Sequence, residues 1–105
     1  MTDKRLVLST AGSEAEAHKI AQHLVEQQLA ACVNIVPQIE SIYRWQGKVE
    51  SSREWLLIIK TTAARFSAVQ DAIRELHSYD LPECIAIAIE DGSTGYLKWI
   101  ADSVG

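Results

Sequence analysis

The stretch with the most chemistry in a short space is "HSYDLPE", seven residues that span 77–83. It holds an imidazole, a phenol and two carboxylates. Imidazole nitrogen suits copper or zinc, whereas carboxylate oxygens alone suit harder cations. We therefore take His77, Asp80 and Glu83 as candidate metal ligands. The spacing matches no established metal-binding motif, so the stretch also fits a polar loop in which His77 interacts with the negative end of a preceding helix.

Lys60 is a second candidate functional side chain. It follows the apolar run "LLII" at the end of a predicted strand and just before a predicted helix, a place where an ammonium group often faces a cleft. Glu50 and Glu54 are separated from Lys60 by even numbers of residues, so all three share one face of the strand. This face is either a solvated polar surface or one wall of a cleft.

Several kinds of chemistry find no support in the sequence. Cys32 and Cys84 both lie in apolar surroundings, without a CxxC pair or zinc-like spacing, and are expected to be buried reduced thiols. No base accompanies the candidate nucleophiles Ser9, Ser13 and Cys32 in the local sequence. A glycine-rich phosphate loop is also missing from the sequence. We therefore expect neither enzymatic activity nor an organic cofactor.

Length and composition predict one globular domain over residues 1–105, with 48% apolar and 23% charged residues. The net charge of −4 argues against binding to nucleic acid or to an anionic membrane. No apolar run approaches the roughly 20 residues that span a bilayer. The N-terminal residues do not resemble a signal peptide, so we expect a cytoplasmic protein.

The elements that would position the candidate residues alternate between strand and helix. They are a strand over 5–10, a helix from the capping box Ser13–Glu16 to about Gln28, a hairpin, a helix capped by Thr62, a strand over 84–89 and a terminal helix capped by Ser93. In the last strand, alternating Ile and Ala suggest a bulky face on the core. This βαββαβ order predicts a ferredoxin-like α+β fold with an antiparallel sheet and both main helices on one face.

Two long apolar segments joined at Gln46-Gly47 predict a β-hairpin. Each arm has about a dozen residues and reaches about 40 Å, whereas a domain of this size has a radius of gyration of about 13 Å. The hairpin tip should therefore project, and we expect another subunit to cover its apolar side chains. Two shorter strands folded back on one core remain the alternative.

Pro37 lies midway along the first arm and predicts a bulge or bend, because proline cannot donate a ladder hydrogen bond. Alternation along each arm predicts two shared faces. These are Val33, Ile35, Ile39, Tyr43 and Trp45 on the first arm, and Val49, Trp55, Leu57 and Ile59 on the second.

Three segments, "LAACVNIVPQIESIYRWQGKVE", "EWLLIIKT" and "LHSYDLPECIAIAIEDGSTGYLKWI", resemble in this order the CutA family of divalent-cation tolerance proteins. The resemblance covers nearly the whole chain. It implies a ferredoxin-like domain in a tight homotrimer whose long hairpins wrap neighbouring subunits, an architecture similar to the PII signalling proteins. The family is associated with tolerance to copper and other divalent metals, and no enzymatic activity is established for it.

The resemblance extends to individual residues but is incomplete at the candidate site. His77, Tyr79 and Glu83 match the family motif, and Cys32 and Lys60 match their segments. Positions that depart from it are Ser78, where the family usually has proline, Asp80, where it has glutamate, and Ser9 and Leu76, where some copper-binding members have cysteine and histidine. These changes remove the softest ligand and one imidazole.

Two functions follow from the sequence. The first is a trimeric divalent-cation tolerance protein that binds copper(II) or another divalent cation. Its metal ligands would be His77, Asp80 and Glu83, its inter-subunit cleft would contain Cys32, Glu50, Glu54, Lys60 and Tyr79, and its hairpin contacts would include Tyr43, Trp45 and Trp55. The second is a PII-like sensor that binds a small anionic metabolite in the same cleft through Lys60. An RNA-binding domain would need aromatic strand motifs and a basic face, which the sequence lacks.

Overall fold

A computed structural model describes residues 2–105 of the chain. Within this range the elements are β1 (Lys4–Ala11), α1 (Glu14–Glu26), β2 (Cys32–Trp45), β3 (Lys48–Thr62), a 3-10 turn (Ala63–Arg65), α2 (Phe66–Leu76), β4 (Ile85–Ala88) and α3 (Thr94–Ser103). The four strands form one sheet in the order β2-β3-β1-β4, with all neighbours antiparallel. This confirms the predicted ferredoxin-like α+β fold.

The hydrophobic core lies between one face of the sheet and the helices α1 and α2. Val7 of β1 pairs with Ile59 of β3, and neighbouring strand residues on this face alternate with residues on the other. The stripe of apolar residues on each helix faces the same layer because their spacing follows the helical period. The larger core side chains with no exposed area are Val7, Ile20, Leu24, Leu57, Ile59, Val69 and Ile73.

The second face of the sheet is only partly covered. Helix α3 contacts β3 and β1, and its Tyr96 reaches Lys60, which points away from the core face. Beyond α3 this face is apolar and open: Leu8 pairs with Ile58 on one side and with Ile85 on the other.

The prediction that the last strand turns its isoleucines to the core is wrong. β4 is shorter than expected and all four of its residues are exposed. Ile85 lies opposite Leu8 and Ile87 opposite Leu6, so both isoleucines belong to the open face. The alternation of Ile and Ala separates the two faces of the strand but does not indicate which of them meets the helices.

The long hairpin is confirmed, and it makes the molecule elongated, with extents of 44 × 25 × 22 Å. β2 and β3 pair from their ends at Cys32 and Lys60 to Trp45 and Lys48 at the tip. The two turn residues have positive φ, 51° at Gln46 and 81° at Gly47. Such a turn matches the right-handed twist of the strands it joins, and glycine adopts it without a steric cost.

The predicted bulge at Pro37 is also confirmed. Val36 pairs with Leu56 and Ile39 pairs with Glu54, so a step of three residues along β2 corresponds to a step of two along β3. Gln38 has a φ of 57°, the left-handed conformation that accommodates the extra residue. An odd offset moves every later side chain of β2 to the opposite face.

The common face predicted for the first arm is therefore wrong. Ile35 pairs with Leu57 on the core face, whereas Ile39 pairs with Glu54 on the other face. Tyr43 and Trp45 follow Ile39. The return strand has no bulge, and its predicted face with Trp55 and Leu57 is correct.

The residues predicted to cap the helices lie at the starts of helical segments, but most of the expected capping hydrogen bonds do not form. Ser13 Oγ accepts from the backbone N–H of Glu16 at 3.1 Å, but the Glu16 carboxylate binds elsewhere, so only half of the capping box forms. α1 ends at Glu26, two residues before the predicted end. Thr62 precedes the 3-10 turn and its side chain makes no capping hydrogen bond. Ser93 occupies the cap position of α3, likewise without a side-chain bond.

Candidate functional site

A pocket of about 350 Å³ lies between the hairpin and the loop that joins α2 to β4. Among the described residues, four carboxylates and three aromatic rings line it, and no lysine or arginine does. We call it the acidic pocket; its lining residues are Thr10, Tyr43, Trp45, Glu50, Glu54, Tyr79, Asp80, Leu81 and Glu83.

The bulge in β2 brings the two sides of the acidic pocket together. Because it shifts Tyr43 and Trp45 to the second face, Tyr43 lies opposite Glu50, on the same face as Glu54. Without the extra residue, these aromatic side chains would point to the core face, away from the glutamates. The pocket therefore depends on a local irregularity at Pro37.

Glu54 is the most deeply placed acid of the pocket, with 7% of its surface exposed. Its Oε2 accepts a hydrogen bond of 2.8 Å from Tyr79 Oη. No ion pair to Glu54 occurs among residues 2–105. A buried carboxylate without a cationic partner is unfavourable, and nearby acids add to the negative potential. Burial and then the contact with Glu54 raise the pKa of Tyr79, which keeps the phenol protonated.

The His77 ring is buried behind the pocket wall and both of its nitrogens are occupied. Its side chain has no exposed area. Nε2 lies 2.6 Å from the Thr10 carbonyl oxygen, and since a carbonyl only accepts, Nε2 carries the hydrogen. Nδ1 accepts from the backbone N–H of Tyr79 at 3.1 Å. Both ring nitrogens thus contact protein groups, and neither is free for a metal ion.

Glu16 anchors the same loop from helix α1. Its carboxylate accepts from Ser78 N at 2.6 Å and from Ser78 Oγ at 2.8 Å. Oε1 also lies 3.2 Å from Nδ1 of His77. Burial of Glu16 opposes ionisation, but the hydrogen bonds from Ser78 and the nearby His77 outweigh it and lower the pKa of Glu16. An ionised carboxylate is the form that accepts both bonds from Ser78.

The structure does not bring the three predicted metal ligands together. Asp80 and Glu83 line the acidic pocket, whereas His77 lies behind it. Within residues 2–105, no three histidine, cysteine or acidic side chains converge as a ligand group. The donors that do face one space are carboxylate oxygens. Such oxygens suit a hard or hydrated cation, whereas imidazole and thiolate ligands suit softer metals.

The predicted inter-subunit cleft divides into two places in the single chain. Glu50, Glu54 and Tyr79 belong to the acidic pocket. Cys32 and Lys60 pair across the hairpin base, about 20 Å along β3 from Glu54.

Lys60 is engaged by helix α3. Its Nζ lies 3.3 Å from Tyr96 Oη and 5.6 Å from the centre of the Tyr96 ring. The hydrogen bond to Tyr96, followed by weaker contacts with Cys32, raises the pKa of Lys60 despite burial. Trp55, predicted as a hairpin contact, is partly buried and packs against the core in the single chain. Its role in an assembly remains a prediction, as do those of Tyr43 and Trp45.

Sequence reasoning missed Glu16, Ser78 and Thr10 as parts of the site. The spacing of Glu16 from Ser13 indicates a capping box and gives no sign of its contact with Ser78. One feature of the sequence draws attention to Ser78: the CutA family usually has proline at this position. Thr10 contributes a backbone carbonyl, for which side-chain identity gives no signal.

Substitution of Gly12 tests how tightly the pocket wall is packed. A Cβ atom at Gly12 would lie 2.9 Å from Tyr79 Oη. We expect Gly12→Ala to displace the phenol from Glu54 and to lower the free energy of unfolding by about 1–3 kcal/mol, the usual cost of overpacking. Chemical denaturation followed by circular dichroism measures this effect.

Gly95→Ala in α3 is the matched control, because a Cβ there meets nothing within 4 Å. Alanine favours helix over glycine by about 1 kcal/mol, so this variant should be slightly more stable than the wild type. A Gly12→Ala protein as stable as Gly95→Ala would contradict the close packing of Tyr79.

The sheet order, the layer of two helices and the projecting hairpin define a ferredoxin-like domain with a long β-extension. A family model for the CutA1 divalent ion tolerance protein matches residues 5–103. The chain belongs to this family, as its resemblance predicted.

Similarity to individual proteins extends over almost the full chain. A divalent-cation tolerance protein CutA from Thermus thermophilus is 46% identical over 102 residues, which are 97% of this chain and 99% of that protein. The crystal structure of CutA from Xylella fastidiosa is 40% identical, with a TM-score of 0.96 over 99% of this chain and 100% of that one. The human protein CutA is 45% identical to this chain over 91 residues, which are 87% of this chain and 51% of the human protein.

The cellular compartment differs among such relatives, one of which is described as a chloroplastic CutA protein of Arabidopsis thaliana. A structure from Archaeoglobus fulgidus is described as a periplasmic divalent cation tolerance protein; it is 42% identical, with a TM-score of 0.94 over 97% of this chain and 99% of that one. None of the helices in the described range has the length and apolar character to cross a bilayer. The cytoplasmic location of this chain stays a prediction.

Proposed function

We propose that this chain contributes to divalent-cation tolerance by binding a divalent cation in the acidic pocket. The carrying observation is Glu54, a carboxylate with 7% exposure and no ion-pair partner among the described residues. A buried charge of this kind is stabilised when a cation binds beside it. Glu50, Asp80 and Glu83 line the same space and add negative potential.

The donors of the pocket suggest how the cation is held. Since no three ligands converge in the described range, an ion would bind one or two carboxylates directly and the others through water. Magnesium and similar small cations are commonly bound in this way. Copper(II) is included among the proposed cations, because the affinity of a given site for divalent first-row metals peaks at copper.

We propose a binding and homeostatic role without catalysis. The phenol of Tyr79 donates to Glu54, and the raised pKa of Tyr79 places its ionisation far from neutral pH. A group that does not exchange its proton near the working pH is a poor general acid or base.

We also propose that the chain acts as a homotrimer. Large apolar side chains are exposed on the open sheet face and on the hairpin, a pattern that marks interaction surfaces. The exposed members of these two surfaces include Val36, Ile42, Tyr43, Trp45, Val49, Ile85 and Ile87. A neighbouring subunit would cover both surfaces.

The alternative role as a PII-like sensor requires a site for an anionic metabolite. Four carboxylates make the acidic pocket unfavourable for such a ligand. Lys60 is the cation proposed for such a ligand, and its hydrogen bond to Tyr96 raises its pKa further above neutral pH. A nucleotide or organic acid that raises the melting temperature in a thermal-shift screen, with loss of the effect in Lys60→Gln, would support this alternative.

Calorimetric titration with Cu²⁺, Zn²⁺, Mn²⁺ and Mg²⁺ tests the cation site. We expect Glu54→Gln to weaken binding at least about tenfold, because it removes the buried charge and keeps the side-chain shape. Glu40→Gln is the control, since Glu40 lies on the same hairpin, is exposed and points to the opposite face. Equal affinities for Glu54→Gln and wild type, or no binding by the wild type, would overturn the proposal.

A further inference from the structure

We propose that Tyr79 determines which divalent cations the acidic pocket prefers, because it leaves Glu54 with a single free carboxylate oxygen. This inference rests on the proposed cation site and adds a specificity-determining residue to it.

The hydrogen bond between Tyr79 and Glu54 divides the two oxygens of the carboxylate. Tyr79 Oη donates to Oε2 at 2.8 Å, which leaves Oε1 as the oxygen without a protein donor among the described residues. A cation that contacts both oxygens at once must displace the phenol. Glu54 has little space in which to turn away from Tyr79, since 7% of its surface is exposed.

One free oxygen favours one class of cation. Calcium takes about six to eight oxygen ligands, and carboxylates frequently supply two of them together. Magnesium is smaller, retains several waters and commonly takes one oxygen from each of one or two carboxylates. A carboxylate that offers a single oxygen therefore suits Mg²⁺, and Mn²⁺ of similar preference for oxygen, better than Ca²⁺.

Tyr79 is able to impose this choice because its backbone and its ring are both held. The backbone N–H donates to Nδ1 of His77 at 3.1 Å, and the two rings are in contact, with centroids 4.5 Å apart and planes tilted by 44°. At the other end, the phenol oxygen packs closely over Gly12. The position of the phenol is therefore set on two sides before any cation binds.

Ser78 also holds the loop next to Tyr79, and it does so through two hydrogen-bond donors. Its N–H and hydroxyl both donate to Glu16, at 2.6 and 2.8 Å. A proline at this position would have neither donor. Glu16 and Ser78 thus act as positioning residues, which fix the loop next to Tyr79 without contact with the pocket's ligand.

The test compares Ca²⁺ and Mg²⁺ affinities of the full chain by calorimetry, with Mn²⁺ as a second small cation. Tyr79→Phe keeps the ring and removes the hydroxyl donor. We expect the ratio of Ca²⁺ to Mg²⁺ affinity to rise about tenfold, because both Glu54 oxygens become available. Tyr96→Phe is the control: it removes the same hydroxyl from a tyrosine outside the acidic pocket, one that accepts from Lys60 Nζ at 3.3 Å, so the ratio should not change.

A second variant tests the support of the loop. Glu16→Gln should move the ratio in the same direction but by less, because the Ser78 bonds weaken while the hydroxyl of Tyr79 remains. Its control is Glu26→Gln, which alters an exposed hydrogen bond to Gln22 on the same helix. A lower melting temperature without a change in the ratio would identify Glu16 as purely structural and remove it from the inference.

A measurement on the wild type avoids any dependence on folding of the variants. With ¹³Cζ-labelled tyrosine, the NMR signal of Tyr79 should stay in place when Mg²⁺ binds and shift when Ca²⁺ binds and displaces the phenol. An unchanged affinity ratio in Tyr79→Phe, or identical Tyr79 shifts with both ions, would overturn the inference and leave the cation site intact. Failure of the wild type to bind any of these ions would overturn both.

Discussion

His77→Ala is expected to lower the free energy of unfolding by about 3–4 kcal/mol, because a buried ring and two hydrogen bonds are lost together. The ring connects the Thr10 carbonyl oxygen to the backbone N–H of Tyr79. Without it, both backbone groups lose their partner, and the space of the ring remains as a cavity. Denaturant unfolding followed by circular dichroism, in buffer with a metal chelator, measures this loss.

The same variant decides between the two interpretations of the opening motif. A metal ligand contributes to stability only when the metal is bound, whereas a structural ring contributes without it. His18→Ala on the exposed side of α1 is the control and should change stability by less than about 0.5 kcal/mol. If His77→Ala were as stable as the wild type in chelator, the ring would be free for ligation and the predicted metal role of His77 would regain its support.

Aspartate at both Ile85 and Ile87 is expected to convert the proposed trimer into monomers at micromolar concentration. The two side chains are 51% and 47% exposed in the single chain and lie on the open sheet face. In a trimer that covers this face, each aspartate would be a buried unpaired charge, which costs several kcal/mol. Gel filtration with light scattering gives the mass, and circular dichroism should show that the chain remains folded.

A double variant of equal charge provides the control. Ala64→Asp with Ser67→Asp places two carboxylates on exposed positions, one in the 3-10 turn and one in the first turn of α2, away from the open sheet face. This protein should keep the mass of the wild type. A wild type that elutes as a monomer would contradict the proposed trimer, and a β4 variant that stays trimeric would exclude the β4 face from the contact.

Much of the fold was predictable because its signals are local. Gly47 is the residue that adopts positive φ most easily, so it identified the hairpin turn. Pro37 cannot donate a ladder hydrogen bond, so it identified the bulge. The Ser13 hydroxyl caps α1 from the adjacent turn, and the spacing of apolar residues identified the helical stripes. Each of these signals acts over a few residues, within reach of a sequence pattern.

The composition of the site was only partly predictable. The sequence indicates five candidate residues that line one pocket in the structure: Glu50, Glu54, Tyr79, Asp80 and Glu83. Residue type and strand parity indicate Glu50 and Glu54, and the cluster of polar residues in "HSYDLPE" indicates Tyr79, Asp80 and Glu83.

The sequence predicts a set of metal ligands that is separate from the residues of the cleft, and the structure does not keep these two sets apart. The fit between loop and hairpin joins the two sets in one pocket, whereas His77 turns away from it.

The sequence by itself determined the family, the order of the elements, the hairpin and the residues that carry the charge of the pocket. Tertiary structure alone decided three further matters. The bulge sets which face of β2 carries Tyr43, the packing of β4 leaves Ile85 exposed, and the approach of α1 to the α2–β4 loop directs Glu16 to Ser78. The physical reason is common to all three: each depends on a contact between segments far apart in the chain, and a pattern within one segment does not specify its partner.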